Sequence, residues 1–147
     1  MIATPTTQLP AAPVTLVEGD DMPTATVGPM TRTDFVRYAG AGGDFHPLHH
    51  DEVYAREAGL PGVFGMGMLH AGILGNHLAR WVGPDNIRRF SIRFTGQVWP
   101  GDLLTITGRV ERVEDDGDVR LAHLVMAVTR QTGEPAITGT AIVRVSS

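Results

Sequence analysis

Gly67-Met68-Leu69-His70-Ala71-Gly72-Ile73-Leu74-Gly75-Asn76-His77-Leu78-Ala79-Arg80-Trp81 is the stretch that decides the fold. Met68, Leu69, Ala71, Ile73, Leu74, Leu78 and Ala79 leave it apolar nearly all round, and Gly83-Pro84 ends it, so it reads as one buried helix. The residues that follow change period. Phe90, Ile92 and Phe94 alternate with Ser91, Arg93 and Thr95, and Leu104, Ile106 and Val110 alternate with Thr105, Thr107 and Arg109, as in strands with one apolar face. Two more strands follow, Val119 to Thr129 and Ala136 to Val145, set off by the turn residues Asp115-Asp116-Gly117-Asp118 and Gly133-Glu134-Pro135. An apolar helix followed by consecutive antiparallel strands predicts an α+β domain, its antiparallel sheet wrapped around the long central helix.

Upstream of the helix the chain carries chemistry. Thr31 or Thr33 can cap a short helix through Phe35, Val36 and Tyr38, which the glycines at 40, 42 and 43 stop. Gly42-Gly43-Asp44-Phe45-His46-Pro47-Leu48-His49-His50-Asp51 follows, with a carboxylate and an imidazole five residues apart on a stretch that Pro47 bars from continuing as regular helix. Flexible glycines beside a rigid proline suit a turn that holds an acid/base pair at fixed angles. Asp44 alone is equally a cap or turn residue, and its pairing with His49 is what carries the catalytic reading. His46, His49, His50 and Asp51 also resemble a metal-ligand cluster, but no second patterned ligand group accompanies them, and His50 reads as a surface residue. Asp51 caps a second short helix, Glu52 to Ala58, closed by Gly59 and Pro61.

At 147 residues the chain is long enough for one domain with its own core. Residues 1–13, rich in Thr, Pro and Ala, read as a disordered tail without the basic start and apolar centre of a signal peptide, and 14–147 as the single domain. The chain has no cysteine, which removes disulfides and thiolate chemistry and makes the cytoplasm the default location. A net charge of −4 without a basic run excludes the electrostatic footprint of a nucleic-acid binder, and no apolar run is long enough to span a membrane.

Tyr38-Ala39, Gly43-Asp44-Phe45-His46-Pro47-Leu48-His49 and the later Gly67-Met68-Leu69 resemble the hydratase motif of MaoC-like (R)-specific enoyl-CoA hydratases and 3-hydroxyacyl-thioester dehydratases. That pattern reads roughly Tyr-Ala-x-x-Ser-Gly-Asp-x-Asn-Pro-x-His, with a later His-Gly-Met. His46 stands where the family usually has Asn, and Met66 where it has the His before Gly-Met. The resemblance covers about Met22 to Val145. It implies the hotdog fold and a homodimer, or a heteromer with a second MaoC-like chain. It also implies an acyl-CoA or acyl-carrier-protein thioester as partner. No cofactor is implied beyond the CoA or phosphopantetheine that belongs to the substrate.

The reaction so implied adds water across the 2,3 double bond of an enoyl thioester, or removes it. It needs a base for the water, an acid for the α-carbon and a donor for the thioester oxygen. By the resemblance Asp44 and His49 hold one water between them; which of the two protonates carbon stays open. Gly67 starts the apolar helix, where unpaired N–H groups favour negative charge, so its amide is the expected oxyanion donor. Phe45, Met66, Met68 and Leu69 flank these groups and suit an acyl tunnel, with plain core as the competing reading. His46, His70 and Gly75 complete the candidate substrate contacts. His70 and His77, seven apart on one helix face, also fit hydrogen-bonded core or interface histidines. Arg88, Arg89 and Arg93 could meet the phosphates of CoA or the acidic face of a carrier protein, or simply be solvated on a strand. Two other readings share the fold. One is a thioesterase, which needs a carboxylate on or near the long helix, and Met66 to Arg80 contains none. The other is one subunit of a heteromeric dehydratase that mainly binds the acyl chain.

Overall fold

The computed structural model describes residues 9–146. Its elements run β1 (Ala25–Val27), α1 (Arg32–Gly42), α2 (Glu52–Glu57), α3 (Gly67–Val82), β2 (Ile87–Phe94), β3 (Leu104–Asp116), β4 (Val119–Arg130) and β5 (Pro135–Val145), with short 3-10 turns at Pro47–His49 and Pro84–Asn86. The five strands form one antiparallel sheet in the order β1-β3-β4-β5-β2. The long hairpin β3–β4 and its neighbour β5 supply the centre of the sheet, and β1 and β2 are its edges. This is the hotdog arrangement, a curved sheet with α3 against its inner face.

Period-two burial places the core. Leu104, Ile106 and Val110 of β3, Leu124, Met126 and Val128 of β4, and Ile137, Ala141 and Val143 of β5 are buried in one cluster with Leu74, Leu78 and Val82 of α3. Leu74 and Leu78 are fully enclosed, and truncating either to Ala would cost about 2–5 kcal/mol. At Gly139 an added Cβ would lie 3.1 Å from the carbonyl of Ser91 and 3.6 Å from Leu74 Cδ2, so the strand is stripped of a side chain where the helix comes close.

Three expectations need correction. α3 is not buried all round: Met68, Gly72, Asn76 and Arg80 face outward, because the sheet covers one side of the helix only. Phe90 and Phe94 belong to the apolar alternation of β2 yet are 37% and 51% exposed, because β2 is an edge strand with no neighbour beyond it. The helix stop at Gly40 and Gly42 is also early, since α1 runs through both to Gly42 and ends at Gly43. β1 had no sequence signal strong enough to announce it. With Gly19, Asp20 and Met22, which exchange backbone hydrogen bonds with Gly108 and Val110, it closes the far edge of β3.

Of residues 1–13, residues 1–8 lie outside the described residues. Ala12 lies against the end of α3, its carbonyl accepting from Asn86 Nδ2 at 3.2 Å. No helix among the described residues is long and apolar enough to cross a membrane.

Candidate active site

Asp44 and His49 are held by the turn between α1 and α2. Thr31 caps α1 with a reciprocal capping box to Asp34, so the helix starts in a fixed place. Gly43 ends it with φ +73, a left-handed conformation that releases Asp44 from the helix axis at once. His46 is extended, as a residue before proline prefers, and its Nδ1 accepts from Leu48 N at 3.2 Å. The imidazole thus caps the 3-10 turn as the amide oxygen of an Asn would, which explains how the motif turn survives that replacement. Pro47 begins the turn and His49 completes it.

The turn is clasped to the segment that leads into α3. Phe64 N donates to Leu48 O at 3.4 Å, and His49 Nδ1 bonds Phe64 O at 2.7 Å. A carbonyl can only accept, so Nδ1 carries the proton and Nε2 of the neutral ring is left as a base. His49 Nε2 lies 3.6 Å from Asp44 Oδ2, too far for a direct hydrogen bond and near enough for one shared water. The imidazole is 11% exposed and the carboxylate 45%, so the pair faces an opening with the base set in its wall. Phe64 packs edge-on against the His49 ring at 4.9 Å between centroids, and Trp99 packs edge-on against Phe64 at 5.8 Å.

Gly67 begins α3 next to this pair. Its N-cap, Met66, is buried and gives no side-chain cap to this sixteen-residue helix; its carbonyl accepts from Leu69 N at 3.0 Å, and no side chain of Met66 accepts from the Gly67 or Met68 N–H. Phe94 lies over Gly67: an added Cβ would be 2.7 Å from its Cε1. A cleft of about 530 Å³ joins Asp44, His49, Gly67, Met68 and His70 to Phe64, Gly65, Phe94, Thr95, Gly96, Gln97, Ala136 and Ile137. His70 is 2% exposed, and its Nε2 has no hydrogen-bond partner among the described residues. Burial, reinforced by the nearby His49 and opposed by Asp102, pushes its pKa down to about 4, so the ring is neutral near pH 7.

The candidate residues therefore separate. Asp44, His49, Gly67, Met68 and His70 meet in one cleft. Phe45 and Met66 line a second, more apolar cavity of about 440 Å³ behind His49, with Phe35, Val36, Ala39, Gly40 and His50. His46 stays outside both as the cap of its turn, with its ring 6.0 Å from Tyr54. Leu69 packs against the core, and Gly75 lies under the Phe90 ring, 3.7 Å from where its Cβ would be. His77 bonds the carbonyl of Pro23, in line with a hydrogen-bonded core or interface histidine, and His50 is exposed, as a surface residue is, while bonding the carbonyl of Phe45. Phe64, Phe94, Thr95, Gly96, Gln97, Ala136 and Ile137 had no motif to point to them. Phe64 reaches the cleft through the segment that leads into α3, and Phe94, Ala136 and Ile137 reach it because β2 and β5 pair, Phe94 opposite Ile137.

The chain as a whole is similar to known proteins. A family model described as MaoC like domain matches residues 13–134. The chain belongs to the MaoC-like family. The 3-hydroxyacyl-thioester dehydratase X of Mycobacterium tuberculosis is 36% identical over 119 residues, covering 80% of this chain and 39% of that protein. The fatty acid synthase beta subunit TOXC of Cochliobolus carbonum is 34% identical over 108 residues, 71% of this chain but 5% of that subunit. The chain thus spans well under half of the curated relatives it matches. Among solved structures, the (R)-hydratase from A. caviae involved in PHA biosynthesis superposes with a TM-score of 0.78 at 25% identity, covering 89% of this chain and 98% of that one.

Proposed function

We propose that this MaoC-like domain is a hydro-lyase that hydrates trans-2-enoyl thioesters to (R)-3-hydroxyacyl thioesters, or dehydrates them in reverse. The observation that carries the reading is the 3.6 Å pair of Asp44 and His49 beside the open start of α3 in one cleft. A water seated between Asp44 Oδ2 and His49 Nε2 is oriented by the carboxylate and loses a proton to the imidazole. Its oxygen bonds to C3 of the alkene, and the π electrons move toward the thioester to give an enolate. The N–H of Gly67 stabilises that oxygen, and such a donor contributes typically about 2.7–4 kcal/mol to the transition state. The proton returns from His49 to C2, on the face from which the oxygen came, so addition is syn and every atom of the water is accounted for. No cofactor takes part beyond the CoA or phosphopantetheine of the thioester.

The thioesterase reading lacks a carboxylate on α3. An obligate partner is a separate matter: the open edge of β2, with Phe90 and Phe94 exposed, supports pairing with a second MaoC-like chain, identical or related.

The test follows loss of the enoyl-thioester absorbance with crotonyl-CoA and a long-chain 2-enoyl-CoA, for the wild type, Asp44→Asn and His49→Ala. Each substitution is expected to lower turnover at least about 10²-fold, the lower end of general acid/base contributions, with the far-UV spectrum unchanged. A variant that keeps near wild-type turnover would remove its residue from the mechanism.

A further inference from the structure

The connection between β2 and β3, residues 95–103, forms part of the cleft wall, since Thr95, Gly96 and Gln97 line it. Near its end Asp102, at 3% exposure, is the one buried carboxylate among the described residues. It accepts from Trp99 N at 2.8 Å, from Arg130 Nε at 2.7 Å and Nη2 at 3.2 Å, and from Gln131 Nε2 at 2.8 Å, so both of its oxygens are taken. Arg130 is the last residue of β4, which ties the loop to the centre of the sheet. A buried ion pair is weak evidence for stability, because the cost of taking two charges out of water offsets their attraction. What these bonds impose is geometry: a carboxylate with both oxygens held from different directions keeps one orientation.

Both members of the acid/base pair hang from this loop. On the His49 side, Gly65 N donates to Val98 O at 2.8 Å, and the Trp99 ring packs edge-on against Phe64, whose carbonyl accepts the Nδ1 proton of His49. On the Asp44 side, Met30 N donates to the Asp102 carbonyl at 2.9 Å and Gly101 N to Met30 O at 2.7 Å. Thr31, the next residue, caps α1, the helix that delivers Asp44 at its far end. The chain passes close there, for an added Cβ at Gly28 would lie 2.6 Å from Asp102 O. One buried residue thus reaches the acid through its backbone and the base through its carboxylate, and it lines no part of the cleft itself. His49 Nε2 and Asp44 Oδ2 stand 3.6 Å apart, a spacing that a small shift of either segment would destroy.

We propose that Asp102 is a positioning residue for the acid/base pair. Through Trp99 and Phe64 it fixes the carbonyl that holds the His49 proton on Nδ1, and through its own carbonyl it fixes the start of the helix that carries Asp44. The inference rests on the reading of Asp44 and His49 as that pair. A change that keeps an acceptor for the Trp99 amide keeps the arrangement, and a change that removes the acceptor loosens it.

Two double variants separate positioning from plain stability. Asp102→Leu/Arg130→Met, the apolar pair, removes both charges together, so no uncompensated charge stays buried, and it also removes the acceptor of the Trp99 amide. Asp102→Asn/Arg130→Gln, the amide pair, removes both charges but keeps that acceptor. Imidazole nitrogen NMR shifts of His49, assigned against the His49→Ala protein, read the tautomer of the neutral ring without any turnover. The wild type and the amide pair should show the proton fixed on Nδ1, and the apolar pair a mixture of the two tautomers. The kcat for crotonyl-CoA should fall about tenfold or more in the apolar pair with KM within about twofold, and the amide pair should recover most of it. A folded apolar pair that keeps the wild-type tautomer overturns the proposal. So does an equal change in both pairs, which would assign the effect to the lost ion pair. If the apolar pair does not fold, Trp99→Leu takes its place, because it leaves Asp102 and Arg130 paired and removes the ring against Phe64; an unshifted His49 signal in that protein overturns the proposal. If the wild type turns over no enoyl thioester but the tautomers divide as expected, the hydratase reading fails and the positioning role of Asp102 stands.

Discussion

At the scale of single residues, two glycines two positions apart make opposite demands. An added Cβ at Gly65 would lie 2.7 Å from Phe35 Cε1 and 2.8 and 2.9 Å from Cε1 and Nε2 of His70. Both rings are almost wholly buried and packed in the fold. At Gly67 the clash is with Phe94, which is half exposed and can swing into solvent. Gly65→Ala is therefore expected to cost about 1–3 kcal/mol by overpacking, read from urea denaturation. Gly67→Ala should leave the unfolding free energy within about 0.5 kcal/mol of wild type, because it adds a helix-favouring residue where a side chain can give way. Turnover should nevertheless fall, since the new methyl group and the displaced Phe94 occupy the approach to the amide. A Gly67→Ala protein as active as wild type would show that close approach at this amide is not needed.

At the scale of elements, the turn that holds Asp44 and His49 is positioned by caps rather than by its own sequence preference. α2 is only six residues long, far below what an isolated helix needs. Asp51 holds its start by accepting from Val53 N at 2.9 Å and Tyr54 N at 3.0 Å, and Glu52 ties it to Arg32 of α1 and to Arg56. Asp51→Ala should lower stability by about 1 kcal/mol in chemical denaturation, and Asp51→Asn or Ser should restore most of it. These caps were legible beforehand, because Thr, Asp and Gly announce helix ends through local hydrogen bonds and backbone freedom. The interior face of α3 was less legible: its composition is apolar around most of the circumference, and only the position of the sheet decides that Leu74 and Leu78 are enclosed while Met68 is exposed.

At the scale of the whole molecule, two buried ionisable groups tie stability to pH. His70 keeps its folded pKa near 4 because the closed core and the cleft wall exclude water from the ring. The unfolded chain takes up a proton on this residue below about 6.5, and the folded one resists until about 4. The group therefore costs nothing above 6.5 and draws down stability progressively between those values, by on the order of 3 kcal/mol in total. Asp102 works lower on the scale. Burial alone would raise its pKa, but hydrogen bonds from Arg130, the Trp99 amide and Gln131 outweigh that and hold it below its ordinary value of 3.8. Its contribution is present above that value and is lost as pH falls further. Urea midpoints measured from pH 7.5 to 4.5 should fall for the wild type, and His70→Leu should flatten most of that fall. A slope unchanged by the substitution would mean that another group carries it.

What the sequence determined by itself was whatever is encoded locally. The period switch from helix to strands gave the element order, the caps gave the helix starts, and Pro47 between Asp44 and His49 gave the turn that carries both side chains. A sheet packed on a helix follows from that order, and the motif resemblance implied the hotdog class. Tertiary structure alone decided the rest, because it depends on which distant surfaces meet. The proton on His49 is placed by the carbonyl of Phe64, fifteen residues away. The roof over Gly67 is Phe94, brought there by an edge strand that its own alternation would have buried. The cleft is closed by Ala136 and Ile137, which lie more than ninety residues from Asp44 and reach it through the pairing of β5 with β2. Hydrogen-bond periodicity along a segment is written in that segment, whereas the face it presents and the neighbour it finds are set by how the sheet closes on the helix.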